Sequence, residues 1–111
     1  MKINTFELNI GLNNNPHSET DVKAILKALA FEVDKIRTDQ GEYDNKLEPT
    51  VIYKGMTIDP MTTITRKVKD LCIIFKQECI ALSFNNNGRL IYHPRYKRKR
   101  IKFNHKYFIK F

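Results

Sequence analysis

Residues 79–92 read CIALSFNNNGRLIY, and this stretch carries the clearest structural signal in the chain. Every second residue from 80 to 84 is large and apolar, which is the period-two pattern of a strand with one buried face. The three asparagines and the glycine at 85–88 are typical of a tight turn, and residues 89–92 favour a second strand. The stretch therefore predicts a β-hairpin.

A first strand is predicted near the N-terminus, where apolar and more polar residues alternate. The apolar set is Phe6, Leu8, Ile10 and Leu12. Residues 13–16, three asparagines and a proline, end this strand in a turn. Ser18 with Asp21 three positions later then resembles a capping box, so a helix is predicted to begin there.

The first helix has an apolar stripe at helical spacing and is predicted to end between residues 30 and 34. Its stripe consists of Val22, Ile25, Leu26, Leu29 and Val33. Residues 36–55 have weak helical character and end in the β-favouring run 50–53, so two strands are predicted on either side of residues 44–46.

A second helix is predicted after Asp59 and Pro60, an N-cap candidate followed by a first-turn proline. Its core-facing residues are Ile64, Val68, Leu71, Cys72 and Phe75. The element order is then β-α-β-β-α-β followed by an additional C-terminal strand. This order predicts an α+β, ferredoxin-like antiparallel sheet with two helices on one face. Another α+β sandwich with a different strand order stays open.

Length and composition predict one globular domain spanning 1–111. The chain is 41% hydrophobic and 29% charged, and no apolar run approaches the roughly 18 residues of a membrane span. The N-terminus lacks the apolar block of a signal peptide, so we expect a soluble, cytoplasmic protein without membrane contact. Cys72 and Cys79 are predicted to be reduced and buried, and no metal, cofactor or small-molecule ligand is indicated.

Charge is segregated along the chain. Residues 1–92 contain 12 basic and 12 acidic residues and form a neutral core, whereas residues 93–111 contain eight basic residues and no acidic one. We call residues 95–111 the C-terminal strip. Its first part packs five cations into six positions: Arg95, Tyr96, Lys97, Arg98, Lys99 and Arg100. Such a cluster repels itself unless it is solvated or faces anions, which favours an acidic partner.

The second part of the strip alternates along residues 101–111. Odd positions are mostly apolar, and in an extended chain they lie on the face opposite the even positions. The even-numbered face carries Lys102, Lys106, Phe108 and Lys110. Successive even positions lie about 7 Å apart, near the spacing of successive phosphates. One face is expected to bury apolar side chains against the domain, and the other to bind RNA, DNA or a nucleoprotein.

Other interpretations of the strip stay open. Lysines on an edge strand protect against aggregation, and a basic cluster also suits a localisation signal or an acidic protein surface. The chain is alternatively a protein-interaction module that acts by strand addition or homodimerisation. A third hypothesis is a small ribonuclease that uses His93 as general acid or base. An enzyme is disfavoured, because the sequence contains no phosphate-binding loop, nucleophile elbow or catalytic carboxylate pair.

Acidic residues gather around the predicted turn between the middle strands, at Asp39, Glu42, Asp44 and Glu48. Calcium or magnesium requires a tighter set of oxygens, so these are interpreted as solvated charges.

Lys, Asn and Ile supply 37 of the 111 residues. In this bias the chain resembles small proteins of phages and mobile elements, anti-CRISPR inhibitors among them. The resemblance implies a protein in the host cytoplasm that inhibits an RNA-guided nuclease, a CRISPR effector, by occupying its guide or target channel.

Overall fold

The periodic segments fold into five strands and two helices in the computed structural model, which describes residues 2–43 and 45–95. In chain order the elements are β1 (Asn4–Gly11), α1 (Glu19–Leu26), β2 (Glu32–Tyr43), β3 (Lys46–Thr57), α2 (Met61–Ile74), β4 (Cys79–Phe84) and β5 (Asn87–Tyr92). The strands form one sheet in the order β2-β3-β1-β4-β5, and every neighbouring pair is antiparallel. The predicted α+β class with two helices is confirmed.

Both helices contribute to one core on one face of the sheet. Phe6, Leu8 and Ile10 of β1 point into it, as the alternation predicts. The stripe of α2 is buried as predicted. No helix of the described chain is long and apolar enough to cross a membrane.

The predicted extent of α1 is wrong at its C-terminal end. The α-helix stops at Leu26, and a single 3₁₀ turn, Lys27–Leu29, follows it. Val33 is therefore not part of the helix: it lies in β2 and pairs with Gly55 of β3. Gly55 permits this close approach, because a Cβ there would lie 3.0 Å from both the Cβ of Ala30 and the carbonyl oxygen of Glu32.

The helix starts are partly as predicted. Ser18 caps α1, and its hydroxyl accepts a hydrogen bond from the backbone N–H of Asp21 at 3.2 Å. At α2 the N-cap is Pro60, one residue later than predicted. Asp59 instead forms an ion pair with Lys67 across the first turns of the helix, with 2.7 Å between Oδ2 and Nζ.

The predicted β4-β5 hairpin is confirmed, but its turn is tighter. Asn85 and Asn86 both have positive φ, 49° and 68°, and β5 already begins at Asn87. Two central residues in the left-handed region define a type I′ turn. Gly88 lies within the strand and does not have a positive φ. The asparagines, which tolerate the left-handed region, therefore form the turn.

Candidate functional site

The C-terminal strip begins where β5 ends. Arg95 is the strip residue that the structure describes, and it is exposed. The other predicted binding residues lie outside the described residues; they are Tyr96, Lys97, Arg98, Lys99, Arg100, Lys102, Lys106, Phe108 and Lys110. The predicted strand over residues 101–111 lies outside the described residues as well.

Two hydrogen bonds fix the start of the strip. The backbone N–H of His93 donates to the carbonyl oxygen of Glu78 at 2.8 Å, which extends the β4-β5 pairing by one residue. After Pro94, the backbone N–H of Arg95 donates to Nδ1 of His93 at 3.0 Å. The chain therefore leaves the sheet through a defined turn.

The same geometry bears on the chemistry of His93. Because Nδ1 accepts a hydrogen bond from Arg95, the neutral ring carries its proton on Nε2. In that tautomer the ring has no free lone pair with which to remove a proton from a substrate hydroxyl. The imidazole has a structural use here, as the acceptor that closes the turn.

The sheet also presents a face opposite the helices, which we call the helix-free face. A continuous row of paired residues crosses it, with one residue from each strand. From β2 to β5 the row is Arg37, Ile52, Asn9, Ala81 and Leu90. Sequence periodicity did not identify this row as a surface of interest. The sequence feature that points to this row is the presence of small or apolar residues, such as Ile52 and Ala81, at strand positions that are expected to face solvent.

A groove of about 250 Å³ includes Asn9, Ala81 and Leu90 of this row in its lining and is bordered by residues from all five strands. Two glycines contribute to its shape. A Cβ on Gly11 would lie 2.5 Å from a carboxylate oxygen of Glu48, and a Cβ on Gly41 would lie 3.0 Å from the Cβ of Thr50. Glycine at both positions therefore leaves room for the β3 side chains that border the groove.

Two carboxylates on the helix-free face are perturbed by burial. Partial burial raises the pKa of Glu7, and the nearby cations Lys54 and Arg37 only partly oppose that effect. Partial burial also raises the pKa of Glu48, opposed by a hydrogen bond in which the backbone N–H of Asn13 donates to its Oε2 at 3.2 Å. Both carboxyl groups are thus partly shielded from water, although no described helix covers them.

The acidic residues predicted around the β2-β3 turn do not converge. Asp39 pairs with Arg37 at 3.3 Å, and Glu48 lies over Gly11. Asp44 lies outside the described residues. Within residues 2–43 and 45–95, no group of three His, Cys, Asp or Glu side chains is placed to hold a metal ion.

The two cysteines differ in environment. Cys72 is buried as predicted, its Sγ donates to the carbonyl oxygen of Ile91 at 3.5 Å, and burial raises the pKa of its thiol to about 12. Cys79 is only half-buried and lines the groove, so the prediction that both thiols are buried is wrong for this residue.

Comparisons with protein-family models, with curated proteins and with solved structures each find no match. The function of the chain is therefore inferred from its own residues.

Proposed function

We propose that this protein is a non-catalytic nucleic-acid binder that contacts RNA, DNA or a nucleoprotein through residues Arg95 to Lys110 of its C-terminal strip. The charge distribution carries this proposal, because the whole net charge of +8 falls in residues 93–111. Lysine and arginine bind phosphates with release of counterions, which makes a dense cationic strip a ready polyanion site. Tyr96 and Phe108 add aromatic rings on which bases can stack.

The described geometry supports the proposal at one end of the strip. Arg95 is exposed and follows directly on the turn that His93 closes, so the first cation is presented from a fixed point at the sheet. Edge protection alone needs one or two lysines and does not account for five cations in six positions.

We further propose a ferredoxin-like arrangement for the first four strands. The order β2-β3-β1-β4 is the one expected for that layout, and β5 is added beside β4. RNA-binding modules with this layout stack bases on aromatic residues of the sheet. Among the described side chains, Tyr92 is the one aromatic residue whose register places it on the helix-free face. This favours the strip over the sheet as the nucleic-acid contact.

The compositional resemblance to phage proteins extends the proposal to a target. An anti-CRISPR-like inhibitor would place the strip in the guide or target channel of an RNA-guided nuclease. The neutral domain would remain outside and block access sterically.

Salt dependence tests nucleic-acid binding. Affinity for a generic oligonucleotide should fall with salt at a log-log slope of magnitude about 3.5 to 5, since about five or six phosphates are neutralised. A slope near zero, or no binding at low salt, would contradict the proposal.

A matched pair of variants locates the contact. Reversing Arg98, Lys99 and Arg100 to Glu should abolish most of the affinity. Reversing the exposed helix-side cations Lys27, Arg66 and Lys69 to Glu changes the net charge equally and should cost much less. Equal losses in both variants would indicate a general charge effect and overturn the assignment to the strip.

The position of β5 favours a second candidate function. β5 is an edge strand, and its outer side pairs with no other strand among the described residues. An extended segment of a partner protein, or of a second copy, can add to such an edge. A pull-down with and without nuclease treatment separates the two functions, because a protein partner persists after digestion. A monomer that retains no protein would contradict this candidate.

The ribonuclease hypothesis has a simple test. Because Nδ1 of His93 is engaged by Arg95, we expect purified protein and the His93→Ala variant to leave a labelled RNA equally intact. RNA cleavage that disappears on His93→Ala would establish the enzyme instead.

A further inference from the structure

The groove of the helix-free face contains a buried amide whose acceptor is unused. Gln77 lines the groove and is only 8% exposed. Its Nε2 donates to the carbonyl oxygens of Phe75 at 3.0 Å and Asn13 at 3.2 Å. Since both partners are carbonyl oxygens, the amide nitrogen faces them and Oε1 faces away. Oε1 accepts no hydrogen bond from a described residue, so a buried acceptor is left for a ligand.

The end of α2 holds Gln77 in this position. Lys76 has a φ of 50°, in the left-handed region that lysine rarely adopts. The backbone N–H of Lys76 donates to the carbonyl oxygen of Ile73 at 3.3 Å, and that of Gln77 donates to Cys72 at 3.0 Å. These two bonds form a Schellman motif, in which glycine usually occupies the position of Lys76. The chain reverses there and brings both Lys76 and Gln77 into the lining of the groove.

A carboxylate lies on the other side of Asn13. The backbone N–H of Asn13 donates to Oε2 of Glu48 at 3.2 Å, while its carbonyl oxygen accepts from Gln77. One residue therefore holds both side chains in the same part of the groove. The Glu48 carboxylate lies over Gly11, where a Cβ would be 2.5 Å from Oε1. Glu48 forms no ion pair within residues 2–43 and 45–95, so its carboxylate can accept further hydrogen bonds from a ligand.

The two acceptors favour a ligand that presents adjacent hydrogen-bond donors. An organic cation has such donors, but the exposed side chains of Lys46 and Lys76 also line the groove and repel a cation. A neutral edge with two donors avoids this repulsion. Guanine carries N1–H and the 2-amino group side by side on its Watson–Crick edge, whereas adenine, cytosine and uracil lack two adjacent donors there. Two adjacent donors can bind one carboxylate in bidentate fashion.

We propose that the groove is a binding site for a guanine base. The Glu48 carboxylate accepts from N1–H and the 2-amino group, and Oε1 of Gln77 is a second acceptor for the amino group. Ala81 and Leu90 supply apolar surface for one face of the base. The volume of about 250 Å³ lies below the roughly 300 Å³ at which pockets for drug-sized ligands begin, which suits a single base.

The other charged residues of the lining are compatible with this ligand. Glu42 and Glu78 already have interactions of their own. The exposed lysines, Lys46 and Lys76, can contact the phosphate attached to the nucleoside. The guanine comes either from a free nucleotide or from a nucleic-acid strand. The site lies apart from the C-terminal strip, so this inference goes beyond the proposed function and does not rest on it.

Two nucleotides that differ only in the base test the specificity. Guanosine monophosphate, titrated into isotope-labelled protein, should shift the backbone NMR signals of Gly11 and Asn13 and the side-chain amide signal of Gln77. Adenosine monophosphate should bind at least roughly tenfold more weakly, because it leaves the carboxylate without a pair of donors. Equal affinity for the two nucleotides would overturn the inference.

Oligonucleotides identify the source of the base. An oligouridine that carries one guanosine should shift the same signals, and the oligouridine without guanosine should not. A response to guanosine monophosphate assigns a free nucleotide, and a response to the guanosine-containing strand alone assigns a base within a strand. If neither probe shifts the groove signals, there is no guanine site. The salt dependence of oligonucleotide affinity tests the strip separately, so either proposal can fail while the other stands.

Variants connect binding to the Glu48 carboxylate. Glu48→Gln places a donor where guanine needs an acceptor and should weaken binding of the responding probe at least roughly tenfold. Gly11→Ala keeps the charge, but its Cβ displaces the carboxylate and should weaken binding as well. Asp70→Asn removes an exposed carboxylate on α2 and should stay within about twofold of the wild type.

The Glu48→Gln result does not depend on a loss of folding. Burial disfavours the charged form of Glu48, so this variant is expected to be at least as stable as the wild type at pH 7. Undiminished binding in Glu48→Gln, or an equal loss in Asp70→Asn, would contradict the guanine site.

Discussion

The backbone N–H of Arg95 donates a hydrogen bond to Nδ1 of His93, 3.0 Å away. Arg95 is the first cation of the C-terminal strip, and His93 is held to β4 through Glu78. The bond joins a side chain to the backbone N–H two residues later, as in an Asx turn. The imidazole of His93 therefore takes the place of the Asn or Asp side chain that accepts this bond in an Asx turn. It ties the start of the charged segment to the edge of the sheet.

Replacing His93 should loosen this turn. His93→Ala removes the acceptor and should lower the free energy of unfolding by about 0.5 to 1 kcal/mol. His93→Asn supplies an acceptor at the same spacing and should recover most of that loss. Urea unfolding of the three proteins checks the prediction, and equal stability of the Ala and Asn variants would show that the hydrogen bond contributes nothing.

The β4-β5 turn is joined to β1 by the side chain of Asn85. Its Oδ1 accepts from the backbone N–H of Thr5 at 2.9 Å, and its Nδ2 donates to Oδ1 of Asn4 at 2.9 Å. Asn85→Ala loses both bonds and places alanine at a φ of 49°, so we expect a loss of about 2 kcal/mol. Asn86 is exposed at a φ of 68°, and Asn86→Gly should be neutral or slightly stabilising. Thermal unfolding measures the stability of both variants. A small loss of stability in Asn85→Ala would show that the two side-chain hydrogen bonds of Asn85 do not hold the turn to β1.

Tyr53 is buried in the core against Phe6, and its hydroxyl has no hydrogen-bond partner among residues 2–43 and 45–95. Removing that hydroxyl with Tyr53→Phe should raise the free energy of unfolding by about 1 kcal/mol. Tyr53→Leu is the control, since it also removes ring volume and should destabilise. Denaturant unfolding at pH 7 measures all three proteins.

Tyr53 also predicts a dependence on alkaline pH. Burial raises its pKa to about 12 from an ordinary value of 10. Between these values the unfolded chain loses the proton first, so stability falls as the pH rises. Tyr53→Phe should remove this part of the decline. If the stability of Tyr53→Phe falls with rising pH as steeply as that of the wild type, groups other than Tyr53 cause the loss of stability at alkaline pH.

Glu48 predicts an effect at acidic pH. Partial burial raises its pKa above the ordinary value of 4.5, so the folded protein keeps this proton at a pH where the unfolded chain has lost it. The contribution of Glu48 to stability therefore falls as the pH rises through the window just above 4.5. Glu48→Gln should be more stable than the wild type at pH 7 and similar at pH 3.

The exposed α2 residue Asp70 provides a control for this measurement. Asp70→Asn removes one carboxylate at an exposed position, so a stabilisation seen in Glu48→Gln and not in Asp70→Asn is due to the burial of Glu48 and not to the loss of one negative charge. If the stability of Glu48→Gln changes with pH in parallel with that of the wild type, burial of the Glu48 carboxylate does not contribute to the free energy of unfolding.

Tertiary contacts displaced the predicted boundaries. Val33 fits the helical stripe of α1, yet it lies in β2. The backbone N–H of Phe31 donates to the carbonyl oxygen of Met56, and Val33 pairs with Gly55, so a strand begins in this region instead of a further helical turn. Cys79 sits among apolar neighbours in sequence, but its register with Tyr92 turns it toward the groove. Local pattern predicts an element, whereas its end depends on what the next residues can pair with.

The sequence by itself determined the types and order of the elements, the buried faces of β1 and α2, and the concentration of all net charge after residue 92. These follow from periodicity and composition, which are local properties. Only the tertiary structure decided the order β2-β3-β1-β4-β5 and the row that crosses the helix-free face. The reason is physical: contacts such as that between Asn4 and Asn85 join residues 81 positions apart, and no local pattern encodes which distant strands meet.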